Sequence, residues 1–141
     1  MDYSDYEKKC AAVRQENKVL LEGFESWLKE KGLGENTVSN HLNNIDFYIN
    51  DFLLYYDVIP AAEGADEISS FLGNWFIRKA MWASESSIRS NAASLKKFYQ
   101  YLFELDMIPR EELAELKLCI KEDLPDWLEE LRRFDSLAFD F

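Results

Sequence analysis

The chain has 141 residues, the length of one domain with a short appendage. Its 48% hydrophobic and 15% aromatic content exclude bulk disorder, because that much apolar surface fills a core. A net charge of −11 runs against the basic surface that phosphate binding usually requires.

Five glycines and three prolines are few, which favours long helices over frequent turns. No run approaches the roughly 18 apolar residues of a membrane span, so no membrane partner is expected. The start, Met1 to Asp5, lacks the basic and apolar regions of a signal peptide, and a cytoplasmic location is expected. Cys10 and Cys119 are far apart and fit no metal or redox spacing. Two reduced thiols in or near the core are expected.

The apolar pattern predicts helices almost throughout. A first helix is expected over about Ser4 to Lys31, with Val19, Leu20, Phe24, Trp27 and Leu28 on one stripe. Gly32 and Gly34 bracket its end, where glycine reaches the left-handed region without strain. Asn36 suits the N-cap of a second helix reaching about Tyr56, with Val38, Leu42, Ile45, Ile49, Phe52 and Tyr56 inward. After a loop with Pro60 and Gly64, Asp66 is expected to cap a third helix bearing Ile68, Phe71, Leu72, Trp75, Phe76 and Ala80. Ser84 is expected to cap a fourth, with Ile88, Ala92, Leu95, Tyr99, Leu102 and Phe103 buried.

Pro109 suits the start of a further helix, and Glu111 and Glu112 favour the positive end of its dipole. Leu113, Leu116 and Ile120 continue it. Asp123 and Pro125 are expected to interrupt it before a last short helix with Trp127, Leu128 and Leu131. The ending Leu137-Ala138-Phe139-Asp140-Phe141 is apolar without a period. The division expected is a helical domain over 1–108 and an acidic tail or linker over 109–141.

Charge is uneven along these parts. Residues 1–16 carry 3 basic and 4 acidic side chains, residues 17–108 carry 8 and 13, and residues 109–141 carry 5 and 10. The tail thus holds nearly half the acidic excess.

Catalytic patterns are missing from the sequence. The lone His41 sits among asparagines with no metal partner at helical spacing, and no glycine-rich phosphate loop exists. No cofactor is expected, and the chain is read as a non-enzyme. Two binding surfaces stand out instead. Thr37, His41, Asn44 and Tyr48 recur at i, i+4, i+7 and i+11, which predicts an outward polar stripe able to meet phosphates or base edges. In the fourth helix Arg89, Lys96 and Lys97 fall within roughly 100° of arc. Ser87 and Ser90 lie near its N-terminus, and Arg78 and Lys79 end the third helix.

Two stretches carry a resemblance. One contains Phe24-Glu25-Ser26-Trp27-Leu28, then Gly32-Leu33-Gly34-Glu35-Asn36-Thr37-Val38. The other contains Ser86-Ser87-Ile88-Arg89-Ser90, then Leu95-Lys96-Lys97-Phe98-Tyr99-Gln100-Tyr101-Leu102. Over residues 17–109 the chain resembles the N-terminal, SAM-like core-binding domain of tyrosine recombinases and phage integrases. The resemblance implies an all-α, orthogonal four-helix bundle, here with one or two extra C-terminal helices. It implies double-stranded DNA as partner, gripped by the second and fourth helices, with a separate catalytic domain closing the clamp. Carried over by position, it assigns Thr37, Asn40, His41 and Asn44 on the second helix to DNA, and Ser87, Arg89, Ser90, Lys96 and Lys97 on the fourth.

The chain departs from the family in three ways. Thr37 to Tyr56 contains no arginine or lysine. Asn91-Ala92 stands where another basic residue is common. The His-x-x-Arg motif of the family's separate catalytic domain is missing, since the only His-x-x-x here reads His41-Leu42-Asn43-Asn44. Fewer phosphate contacts imply weaker binding with a shallower salt dependence. Residues 118–128 resemble the linker into a catalytic domain, so a fragment of a recombinase or a gene reduced to its first domain is expected. The other reading is a protein-interaction module that keeps the fold and has lost DNA. It would self-associate through the apolar stripe Leu113, Leu116, Ile120, Leu124, Trp127 and Leu128 of the tail.

Overall fold

A computed structural model describes residues 2–139, with side chains to residue 137. The part of the apolar ending beyond Leu137 lies outside the described side chains. The described residues are all-α and contain no strand. Two compact units follow one another, Met1–Gly64 and Ala65–Phe141. The expected boundary at 108/109 coincides with the start of the last helix, which belongs to the second unit.

In the first unit, α1 spans Tyr3–Glu30 and α2 spans Glu35–Asp46, continued by a π turn, Phe47–Phe52. The Asp2 carboxylate caps α1 by accepting the Asp5 N–H. At the other end Gly32 takes a φ of +84°, and the Leu33 N–H returns to the Leu28 carbonyl. This left-handed closure is the one its glycine predicted. It leaves Gly34 as the extended residue, so Gly34 and not Asn36 is the N-cap of α2. Asn36 sits inside the first turn.

The buried stripe of α1 is Cys10, Val13, Asn17, Phe24 and Leu28. Val19, expected inside, is 66% exposed. Phe24, Leu28, Val38, Ile45, Tyr48, Ile49 and Leu53 are buried, and Tyr48 stacks on Phe52 at 5.5 Å. A second cluster joins Cys10, Val13 and Leu54 with Tyr6 and Val58, and the Tyr6 hydroxyl donates to the Leu54 carbonyl. Tyr56, expected inside, is 78% exposed because the helix ends in a π turn and the chain swings outward after Leu54.

In the second unit, α3 covers residues 68–79 as Ile68–Ser70, a π turn Phe71–Trp75, and Phe76–Lys79. Its N-cap is Glu67, one residue beyond the expected Asp66, with no side-chain cap bond. α4 spans Glu85–Glu104 and α5 spans Arg110–Phe139. Ser84 caps α4 as its position predicted. Its Oγ accepts the Ser87 N–H at 3.0 Å, and the Ser84 N–H reaches Ser87 Oγ at 2.8 Å. α4 closes with Asp106 at a φ of +59°, the Met107 N–H on the Leu102 carbonyl and the Asp106 N–H on Phe103. This is a glycine's role filled by aspartate.

α5 corrects an expectation. It runs through Asp123 and Pro125 as one helix. Pro125 removes one backbone donor, at a cost near 3 kcal/mol, yet Leu113, Leu116, Ile120, Trp127, Leu128 and Leu131 on either side are all buried. Burying a large apolar side chain yields roughly 1.5–3 kcal/mol each, which outweighs the loss. α5 packs on α4 and on the π turn of α3. There Trp127 lies on Gly73: a Cβ at Gly73 would stand 2.8 Å from Trp127 Cδ1.

Two substitutions test this account by urea unfolding. Gly73→Val forces a β-carbon and two methyls into a buried indole, and is expected to lower the unfolding free energy by about 1–3 kcal/mol. An unchanged midpoint would show that the Gly73–Trp127 approach is not tight. Asp106→Gly removes left-handed strain and is expected to stabilise by about 1 kcal/mol. Loss of stability there would mean the aspartate side chain has a contact of its own.

Candidate nucleic-acid interface

The α2 stripe does not face outward as a whole. Thr37 and Asn40 are exposed and Asn44 is half-buried. His41 is only 8% exposed, on the same face as Val38 and Ile45. Tyr48 is fully buried, and its hydroxyl donates to the Gly64 carbonyl at 2.6 Å. The physical reason is the position of the inward face. It follows 38, 41, 45 and 48, so aromatic rings carrying polar atoms serve as core, while Leu42 is half-buried beside an open groove. Thr37, Asn40 and Asn44 are what remains of the stripe at the surface.

That groove, about 390 Å³, runs between α1 and α2. Arg14, Lys18, Glu22, Glu25 and Asp46 line it with both signs of charge. Its floor is a network set by the π turn. The Asn17 amide, buried, donates to the Ile49 carbonyl at 3.2 Å and to Asn50 Oδ1 at 2.8 Å. Burial and the neighbouring Asp46 raise the Asp51 carboxyl above its ordinary pKa, against the pull of Arg14.

In the second unit one stretch of sequence is poor in acids. From Ile68 to Phe103 the chain holds five basic side chains, Arg78, Lys79, Arg89, Lys96 and Lys97, and one acid, Glu85, a net +4. The remaining residues hold 11 basic and 26 acidic, a net −15. α4 presents Arg89, Ser90 and Lys96 to solvent, with Lys97 half-buried. Arg89 and Lys96, seven residues apart, share one face. Arg89 pairs with Glu85 at 3.1 Å. Arg78 pairs with Glu130 at 3.6 Å and lies over the Phe134 ring. Exposed pairs of this kind are worth about 0–1 kcal/mol, so an anion can take either arginine at little cost. Asn91 and Ala92 are buried, with Asn91 Nδ2 on the Ser87 carbonyl at 2.8 Å. A basic side chain at either position would have no water to reach.

Ser87 is committed to the cap. Its hydroxyl accepts the Ser84 N–H and points to the Trp82 and Ser84 carbonyls at 3.2 and 3.1 Å. The helix start is therefore organised by its own side chains.

One feature carries no signal in the periodicity. Met81 is wholly exposed and Trp82 is 58% exposed, in the short connection between α3 and α4. Trp82 meets Phe76 edge-on at 6.3 Å. Only their place outside every helical stripe, between Lys79 and the cap Ser84, marks them in the sequence.

The thiols behave as expected. Both are free, Cys10 buried and Cys119 half-buried. Cys119 Sγ donates to Asp123 at 3.3 Å, and Ser69 Oγ touches both. Burial, helped by the Asp123 carboxylate, pushes the Cys119 pKa up. Among the described residues no group of histidine, cysteine and carboxylate side chains could hold a metal ion, and no helix is long and apolar enough to cross a membrane.

Comparison of the chain with protein-family models, with curated proteins and with solved structures finds no match.

A raised pKa means less thiolate at a given pH. Native protein is therefore expected to react with iodoacetamide at pH 8 several-fold more slowly than a free cysteine, and to reach the free rate in urea. Fast native labelling at Cys119 would contradict the Asp123 contact. Ser84→Ala removes the cap and is expected to cost about 1 kcal/mol, read by thermal melting.

Proposed function

We propose that the chain is a non-catalytic DNA-binding module of the recombinase core-binding type, with a SAM-like helical arrangement, acting in the cytoplasm without a cofactor. The observation that carries this reading is the uneven charge along the sequence: a net +4 over residues 68–103 within a chain of −11. Arg78, Lys79, Arg89, Lys96 and Lys97 supply the cations for phosphate oxygens, and Ser90 adds a hydroxyl. Thr37, Asn40 and Asn44 offer the first unit's hydrogen bonds to the same kind of ligand. His41 and Tyr48 act as core, and Ser87 acts through the cap.

With few cations and a large acidic remainder, affinity is modest and depends on a second binding element, such as a catalytic domain, for strength. A second reading, protein interaction, draws support from Tyr3, Tyr55 and Tyr56, which are 74%, 48% and 78% exposed in the first unit beside several aspartates. The α5 stripe supports it poorly, because Leu113, Leu116, Ile120, Trp127 and Leu128 are already buried. Self-association through that stripe would first require α5 to leave its seat.

Fluorescence anisotropy with a short duplex at low salt tests the main reading. Binding is expected, with a log–log salt slope that becomes shallower by about 0.9 for each basic residue among Arg89, Lys96 and Lys97 changed to Gln. Folded protein that binds no duplex at low salt would sink it and leave the tyrosine surface as the stronger reading.

A further inference from the structure

Resting on the DNA reading, we infer that the Met81–Trp82 connection is a base-contacting tip, and that the second unit prefers DNA with unstacked bases over a perfect duplex. Exposing a tryptophan and a methionine side by side forfeits burial that both could have had. Here the exposure is held in place. The Ala83 N–H closes a turn on the Ala80 carbonyl at 3.1 Å, the Ser87 hydroxyl reaches the Trp82 carbonyl at 3.2 Å, and the indole stands nearly perpendicular to the buried Phe76 ring. The tip is thus presented by a braced turn.

Its neighbours fix the chemistry of the ligand. Arg78 and Lys79 precede it on α3, and Glu85 and Arg89, paired with each other, follow on the first turns of α4. An apolar, π-faced tip in a stretch with three cations and one acid complements a ligand that alternates anionic and flat aromatic groups, which is the make-up of a nucleic acid strand. A lipid surface asks for a broad apolar helix face, and two residues do not provide one. In a perfect duplex the base faces are covered by their stacking partners and only edges are open. An indole face therefore has its partner where bases are unpaired, and an unbranched methionine can enter between separated steps.

The experiment compares the whole chain on three probes by anisotropy and co-sedimentation: a labelled duplex, the same duplex with an internal bulge of unpaired bases, and phosphatidylserine-containing vesicles. The bulged DNA is expected to bind about ten-fold more tightly than the duplex, the size of one base–aromatic stack. Trp82→Ala is expected to bring the ratio of the two affinities close to one, and Trp82→Phe to keep part of it. Met81→Ala is expected to reduce the ratio with an unchanged melting curve, since Met81 has no packing to lose. Duplex and bulged DNA bound equally, or a ratio that survives Trp82→Ala, overturns this inference and leaves the DNA reading standing. No binding to either DNA overturns both. Vesicle binding that depends on Trp82 overturns the assignment of the tip to bases.

Discussion

The seat of Trp127 on Gly73 is the contact on which the second unit depends. Without a β-carbon at position 73, an indole can lie directly on the backbone of α3, with Cδ1 only 2.8 Å from where a β-carbon would stand. This close approach brings α5 against the π turn of α3, while the same helix packs along α4. Once α5 covers that side, α4 has one face left for water. The residues there are Glu85, Arg89, Ser90 and Lys96. The placement of the basic surface thus follows from a packing event on the opposite side of the helix.

The electrostatics act on two length scales. Charges further apart than about 8–10 Å are screened at ordinary ionic strength. At low ionic strength, where the screening length is about 30 Å, a more distant phosphate meets a molecule of −11 and is repelled. At contact, a phosphate beside Arg89 or Lys96 meets mostly positive charge. On the proposed DNA reading, such a protein would not gather DNA from a distance and would gain its attraction only on contact. On that reading moderate salt would weaken the repulsion and the contact together, and affinity would fall with salt less steeply than the cation count alone implies.

Much of the helical plan is legible in single residues. Gly32 marks the end of α1 because only a residue without a β-carbon takes φ +84° freely. Ser84 marks the start of α4 through hydrogen bonds that its neighbours' types allow. The spacing of Arg89 and Lys96 places them on one face, and the burial of Ile88, Leu95 and Leu102 bears out the complementary stripe. The parts that resisted reading share a cause: tertiary contacts overrode local preference. Pro125 argues for a break, and the buried residues on both sides of it hold the helix together. His41 and Tyr48 look like surface by polarity, and their rings fill the core. The Met81–Trp82 tip has no period to betray it, since it belongs to no helix.

The two π turns have a consequence for chain length. In each, a backbone N–H reaches back five residues, Leu53 to Tyr48 and Phe76 to Phe71, where an α-helix reaches four. Each turn therefore stores one residue more than the helix geometry requires. Removing a residue from 47–52 or 71–75 would let the turn relax to α and leave the helix faces before and after it pointing as they do. A deletion anywhere else in these helices would rotate all that follows by about 100°. The stored residue is put to use in the first unit, where the Ile49 carbonyl is turned to the Asn17 amide. Shortening would move that carbonyl away from the Asn17 amide and leave the amide with Asn50 Oδ1 as its acceptor. The first unit is tied to its present length by a hydrogen bond, while in the second Gly73 sits within the stored turn, so the residue that could be spared is not the one that admits Trp127.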